Sequence, residues 1–170
     1  DRAEEFINGQ TDLFRELSRM FKNKADVRKN VEQLLADNSV LSKQLDSLMQ
    51  NMVKIEKRSL MDGGENFNDV LIVKAELRPV LVKNIKDIAF QLRTESDSCV
   101  AVILAGSDDE KVQMAVSLSD SLLERGLNAV EIIRAVSSEI QGGGGGQPFL
   151  ATAGGKNPSG ISKALAKAEA

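Results

Sequence analysis

The stretch QGGGGGQPFLATAGGKNPSG, Gln141 to Gly160, holds the residues of this 170-residue chain whose spacing best suits chemistry. Gly142, Gly143, Gly144, Gly145 and Gly146 form an unbroken run, and Gly154 and Gly155 follow with Lys156, Asn157 and Pro158 behind them. Glycine loses more conformational freedom on folding than any other residue, so an ordered run needs a reason. A flexible linker or a terminal scar is one reading. Against it, the run joins a helical pattern to a strand-like segment, and the 24 residues after it could not fold alone. The preferred expectation is an ordered loop whose backbone N–H groups line a concave surface, open to a phosphate or ribose. Asn157 is expected to cap a final helix with Pro158 at its first position, presenting free N–H groups and a partial positive charge beside Lys156. There is no GxxxxGKS/T phosphate loop, and GxGxxG matches inside polyglycine carry no information.

What is missing narrows the chemistry further. The chain has no histidine and one cysteine, Cys99. That removes the usual general base at neutral pH, any Cys/His metal cluster and any histidine-based nucleophilic triad. No catalytic residue and no metal ligand is expected, so the chain is not expected to be an enzyme by itself. Cys99 lies in the apolar run CVAVILAG and reads as a small buried strand residue, consistent with a cytoplasmic setting. No stretch approaches a membrane span, and DRAEEF does not read as a signal peptide. Net charge is −3, but residues 141–170 carry Lys156, Lys163 and Lys167 against Glu169 alone, a lean toward an anionic partner.

These residues need a scaffold, and the pattern supplies one in two parts. Val31, Leu34, Asn38, Leu41, Leu45, Leu48, Met52 and Ile55 alternate by three and four, as in the seam of a coiled coil with Asn38 the polar member. No Gly or Pro interrupts Lys24 to Asp62, leaving room for a helix of about 35 residues, ~50 Å at 1.5 Å per residue. A shorter helix through Phe6, Leu13, Leu17, Met20 and Phe21 precedes it, and KNKAD can fold it back as a hairpin. Whether the heptad is the core of that hairpin or a seam between subunits is open on pattern alone. MDGGENFND ends the long helix, giving a helical hairpin or coiled coil over residues 1–62 and a globular domain over 63–170. In that domain DVLIVKAEL reads as strand and VKNIKDIAFQLRT as helix. CVAVILAG and KVQMAVSLS read as a hairpin of strands, and Asn128 opens a helix through AVEIIRAVSSEIQ with Glu131 as its capping-box partner. PFLATA is a short strand. The fold class is therefore α+β: long helices, then a small α/β domain with a sheet of roughly four strands.

GLNAVEIIRAVSSEIQGGGGGQPFLATAGGKNPSGISKAL resembles the C-terminal end of alanyl-tRNA synthetases. That family pairs such a helix with a Gly run, a Pro, an A-x-A-GG segment and an Asn/Asp-Pro helix start. The resemblance runs in order through the chain, from helical hairpin to DHH-associated domain, and DRAEEF looks like the chain just after the editing domain. It implies a non-catalytic C-terminal region of an alanine–tRNA ligase, an aminoacyl-tRNA synthetase of protein biosynthesis. Such a region binds the elbow of tRNA, here alanine tRNA, supports aminoacylation and editing upstream, and in several members self-associates through its helices. ATP, magnesium and an editing-site zinc would belong to the parent enzyme, with no cofactor in this chain. Gly142 to Gly146, Gly154, Gly155, Lys156 and Asn157 match the motif and carry the implied tRNA contact. The heptad from Val31 to Ile55 carries the implied self-association. Gln147 stands where many members have Arg or Lys, and Phe149 where Asp is frequent. Two other readings stand beside it: a purely structural oligomerisation module, or the accessory domain of a DHH phosphodiesterase, whose Gly-rich segment carries a substrate-contacting His that this chain lacks.

Overall fold

A computed structural model of the chain describes residues 2–21, 26–95, 100–108 and 111–169. Cys99, most of the KNKAD turn and the tip of the SDDEK hairpin lie outside the described residues. The chain divides into two compact units, 1–50 and 51–170. The first unit holds α1 (Arg2–Met20) and the greater part of α2 (Val27–Asp62). Both helices are amphipathic, and their apolar stripes face solvent. In the heptad, Val31, Leu34, Leu41, Leu45, Leu48 and Ile55 are between 41% and 66% exposed, as are Phe6 and Met20 more fully in α1. Asn38 is exposed and Met52 half-buried.

The last three turns of α2 belong to the second unit because they are bonded into it. Lys57 Nζ, on a side chain only 12% exposed, donates to Glu95 Oε1 at 2.6 Å and to Gln91 Oε1 at 2.8 Å, both on α3 (Ile85–Glu95). Glu56 pairs with Arg78, and Leu60 is buried. This unit is a six-stranded mixed sheet rather than one of about four. Its strands are β1 (Glu65–Phe67), β2 (Val70–Leu77), β3 (Val100–Asp108), β4 (Lys111–Leu118), β5 (Gly143–Gln147) and β6 (Leu150–Gly155). They lie in the order β1-β2-β3-β4-β6-β5, and β2 and β3 are the parallel pair. The two added strands are those with the least strand-like sequence. β1 is three exposed residues, turned into β2 by Asn68 and Asp69 at φ 47° and 63°, the left-handed pair a tight hairpin needs. β5 is the glycine run, which was expected as a loop.

Helices cover both faces of the sheet. On one, Ile103, Met114, Val116, Ala151 and Ala153 pack with Ile133, Val136 and Ile140 of α5 (Ala129–Ser137) and its following turn, and with Ile161 and Ala164 of α6 (Ile161–Glu169). On the other, α3 and the 3-10 turn Pro79–Asn84 bury Leu81, Val82, Ile88 and Leu92 over the alternate residues of β3 and β4. A short α4 (Asp120–Glu124) leads to Asn128, whose Oδ1 accepts the Val130 N–H at 2.9 Å and so caps α5 as expected. No helix among the described residues is long and apolar enough to cross a membrane.

The glycine strand explains itself position by position. A Cβ at Gly144 would lie 2.4 Å from Ile133 Cγ2 and 2.6 Å from the Thr152 carbonyl oxygen, and one at Gly142 would lie 2.0 Å from the Gly154 carbonyl oxygen. Gly146 has φ 155° and would strike the Leu150 carbonyl oxygen at 2.4 Å. Gly143, Gly145 and Gly154 meet nothing within 4 Å. The alternation is that of a strand whose one face is pressed against α5 and whose other is open. Gly144→Ala should therefore destabilise by about 1–3 kcal/mol, because a backbone oxygen cannot step aside. Gly143→Ala and Gly145→Ala should be neutral or stabilise by up to about 1 kcal/mol, by restricting the unfolded chain. Denaturant unfolding of the three variants checks the contrast.

A second expectation concerns pH. Lys167 Nζ on α6 donates to Glu139 Oε1 at 2.9 Å, and that hydrogen bond, with the ammonium charge second, holds the carboxyl below the ordinary glutamate range. A depressed folded pKa gives stability that is present above the unfolded value and lost as pH falls through the folded one. Lys167→Met should thus lower the urea midpoint at neutral pH and leave it near the parent's once carboxylates are protonated.

Candidate nucleic-acid interface

The β4–β6 end of the sheet carries an open cleft of about 640 Å³. Its floor is backbone and side chains of Val112, Gln113, Met114, Thr152, Ala153, Gly154 and Gly155, and its rim is Lys83, Lys86, Lys111, Lys156 and Gln141. The four lysines come from the 3-10 turn, the first turn of α3, the start of β4 and the residue after β6. Topology brings them together: β4 pairs with β6, placing Gln113 opposite Gly154, while the turn before α3 overhangs the same end. Lys86, Lys111 and Lys156 have no ion-pair partner among the described residues. Lys83 Nζ stands 4.0 Å from Asp108 Oδ2, and Asp108 is also the cross-strand partner of Lys111. A second cavity, about 320 Å³, lies among Val70, Ile72, Ile103, Leu118 and Leu127, with Arg125 as its cation, and offers an anion much less.

Beside the lysine cleft the sheet is bare. Gly143 pairs with Gly154 and Gly145 with Thr152, so these residues share one face, and the three glycines have open space above them. At these three glycines a ligand can approach the backbone, with Thr152 and Gln113 the side chains beside them. β5 is also an edge strand, so every second residue turns its N–H and C=O away from β6.

Of the residues expected to bind, Gly154, Gly155 and Lys156 line the cleft and Gly143 and Gly145 flank it. Gly142, Gly144 and Gly146 serve close packing instead. The expected concave array of N–H groups is not formed, because neighbouring amides in a strand point in opposite directions and cannot converge on one anion. The expected cap is not formed either. Asn157 Nδ2 donates to the Glu139 carbonyl at 3.0 Å and its Oδ1 accepts from Ser159 Oγ at 2.6 Å, so the side chain makes no cap bond. The Lys156 and Asn157 amides both donate to the Ile140 carbonyl, at 2.9 and 3.0 Å, and the Gly160 amide to Asn157. Positive charge at this site comes from lysine side chains. Sequence reading found Lys156 and missed Lys83, Lys86, Lys111 and Gln141. VKNIKD and SDDEK each hold acids beside their lysines, so a local charge count hides them. Among the described residues no group of three or more His, Cys, Asp or Glu could hold a metal.

Gln147 ends β5 opposite Leu150, and Pro148 and Phe149 make the turn into β6. The Phe149 ring lies 5.0 Å from the Arg93 guanidinium carbon and 6.5 Å from Phe90, and its carbonyl accepts the Leu118 amide at 3.0 Å. An aromatic residue at position 149 thus anchors the turn on α3 by cation–π contact.

Comparison with known proteins agrees with this architecture. The chain is similar over 98% of its length to alanine–tRNA ligases from Cytophaga hutchinsonii, at 39% identity, and Bacteroides fragilis, at 34%. It spans about a fifth of the length of these curated relatives, 19% in each case. The crystal structure of the C-Ala domain from Aquifex aeolicus alanyl-tRNA synthetase matches with a TM-score of 0.52 and 27% identity, covering 61% of this chain and 91% of that one. RecJ from Thermus thermophilus shares the fold, with a TM-score of 0.52 at 15% identity over 88% of this chain and 19% of its own. The DHHA1 domain matches residues 70–170, the whole sheet from β2 onward together with the cleft and the glycine strand. The chain belongs to the DHHA1 domain family.

Proposed function

We propose that the chain is the tRNA-binding, non-catalytic C-terminal part of a cytoplasmic alanine–tRNA ligase, contacting folded tRNA at its elbow through the lysine cleft and the bare glycine face. One observation carries the reading: four lysines converge on a cleft beside a sheet face where Gly143, Gly145 and Gly154 leave open space over the backbone. Lysine ammonium groups hold phosphates as point charges, and each phosphate neutralised releases counterions, so binding should fall steeply with salt. The glycine face lets a ribose–phosphate strand come within backbone contact of the sheet. With neither Tyr nor Trp in the chain there is little to stack on unpaired bases, which favours shape and backbone reading of folded RNA over single strands. The similarity to alanine–tRNA ligases supports tRNA as the RNA, with alanine tRNA the expected one.

A gel-shift titration of the 170-residue chain with alanine tRNA, an unrelated tRNA and single-stranded RNA tests this. Folded tRNAs should bind more tightly than the single strand, and Lys111→Ala and Lys156→Ala should each lower the salt slope by about one. Gly143→Val and Gly145→Val, which have space for a side chain and sit in extended backbone, should weaken binding without lowering the melting temperature. Gly144→Val cannot serve, because it would disrupt packing on Ile133. Equal binding by all five proteins would discard the cleft as the RNA site.

A second reading rests on a separate observation, the exposed apolar stripes of α1 and α2. A helix exposing leucine every three or four residues gains by burying that stripe against another copy. Leu41→Glu or Leu45→Glu should then lower the mass seen in sedimentation while the sheet unit keeps its melting temperature. A parent chain that sediments as a monomer at all concentrations tested would remove this reading.

A further inference from the structure

Among the described residues, three that are not glycine have positive φ: Asn68, Asp69 and Gln141. The first two are types that tolerate the left-handed region and form a hairpin turn. Gln141, at φ 52°, is neither suited to that region nor in a hairpin. It occupies the turn after α5, where its amide donates to the Ser138 carbonyl at 3.1 Å and the next amide, of Gly142, donates to Ser137 at 3.0 Å. A left-handed residue closing a helix is ordinarily glycine. Here glycine fills the next five positions, yet the left-handed one carries a long side chain. That side chain is exposed, lines the cleft with Thr152, Gly154 and Lys156, and makes no hydrogen bond with a described residue.

We infer that Gln141 is kept against its backbone preference because its amide contacts a neutral polar group of the bound RNA, a ribose hydroxyl or a base edge. This rests on the RNA reading of the cleft. The surrounding lysines can only donate, and they respond to charge. A carboxamide both donates and accepts, which matches a 2′-hydroxyl or the edge of a base, and it carries no charge to favour phosphate over them. Gln141 would thus add a neutral hydrogen-bonding contact to a rim that otherwise recognises negative charge.

The test separates this contact from a structural role by making the fold more comfortable. Gln141→Gly relieves the left-handed backbone, so its melting temperature should equal the parent's or exceed it by up to about 4 °C. Its affinity for folded alanine tRNA should nevertheless fall about three- to tenfold, as for one lost neutral hydrogen bond, with the salt slope unchanged. Gln141→Ala should lose the same affinity without the gain in melting temperature. Parent-like tRNA affinity in either variant would overturn the inference, and so would a lowered melting temperature in Gln141→Gly, which would make the side chain a support of the fold. If the parent shows no salt-dependent tRNA binding, the RNA reading itself fails and this contact falls with it. A parent that binds while both variants bind equally well removes Gln141 alone.

Discussion

At the edge of this sheet backbone passes so close to backbone that no side chain fits between. Gly142 lies against the Gly154 carbonyl, Gly144 against Thr152 and Ile133, Gly155 against Ile140 and Gly160 against Glu139. The residues that end α5 are therefore clasped by three later segments at once, and the Ile140 carbonyl accepts two amides from the chain leaving β6. This close approach sets the height of β6 beside β4, the exit direction of Lys156 and the start of α6. The cleft exists because that corner is tight.

What the corner holds is a set of like charges that gain nothing from one another. Four exposed ammonium groups around one hollow are tolerated because each remains solvated, and Asp108 offsets two of them only in part. On the proposed reading, a polyanion that neutralised the lysines would relieve their mutual repulsion and free counterions in the same step. Little of the apolar core is involved. The core serves as a rigid mount, with α3 and the last turns of α2 tied by Lys57 behind one face and α5 and α6 behind the other.

Much of the architecture was legible in the residues. The β-branched runs of β2, β3 and β4, the periodicity of α3 and α5 and the Asn128 cap each follow from local propensity that tertiary packing did not override. β1 and β5 were not legible. β1 is an exposed edge with one apolar residue, signalled only by the Asn68-Asp69 pair. β5 is made of the residue with the poorest strand propensity and is a strand because α5 and β6 leave room for nothing else. The candidate site was half legible for the same reason. Composition exposed the glycines and Lys156, but lysines drawn from four distant segments meet only through the pairing of β4 with β6, which no local window contains.

The two faces of the glycine strand also set how the sequence can drift. Positions 142, 144 and 146 are closed to every other residue by geometry, whatever the chain does in the cell. Positions 143, 145 and 154 are open, and on grounds of folding alone they would accumulate side chains with time, since almost any residue is easier to order than glycine. A basic residue placed at any of the three would add positive charge beside the cleft without a cost in packing. A single five-residue word thus alternates closed and open positions, letter by letter.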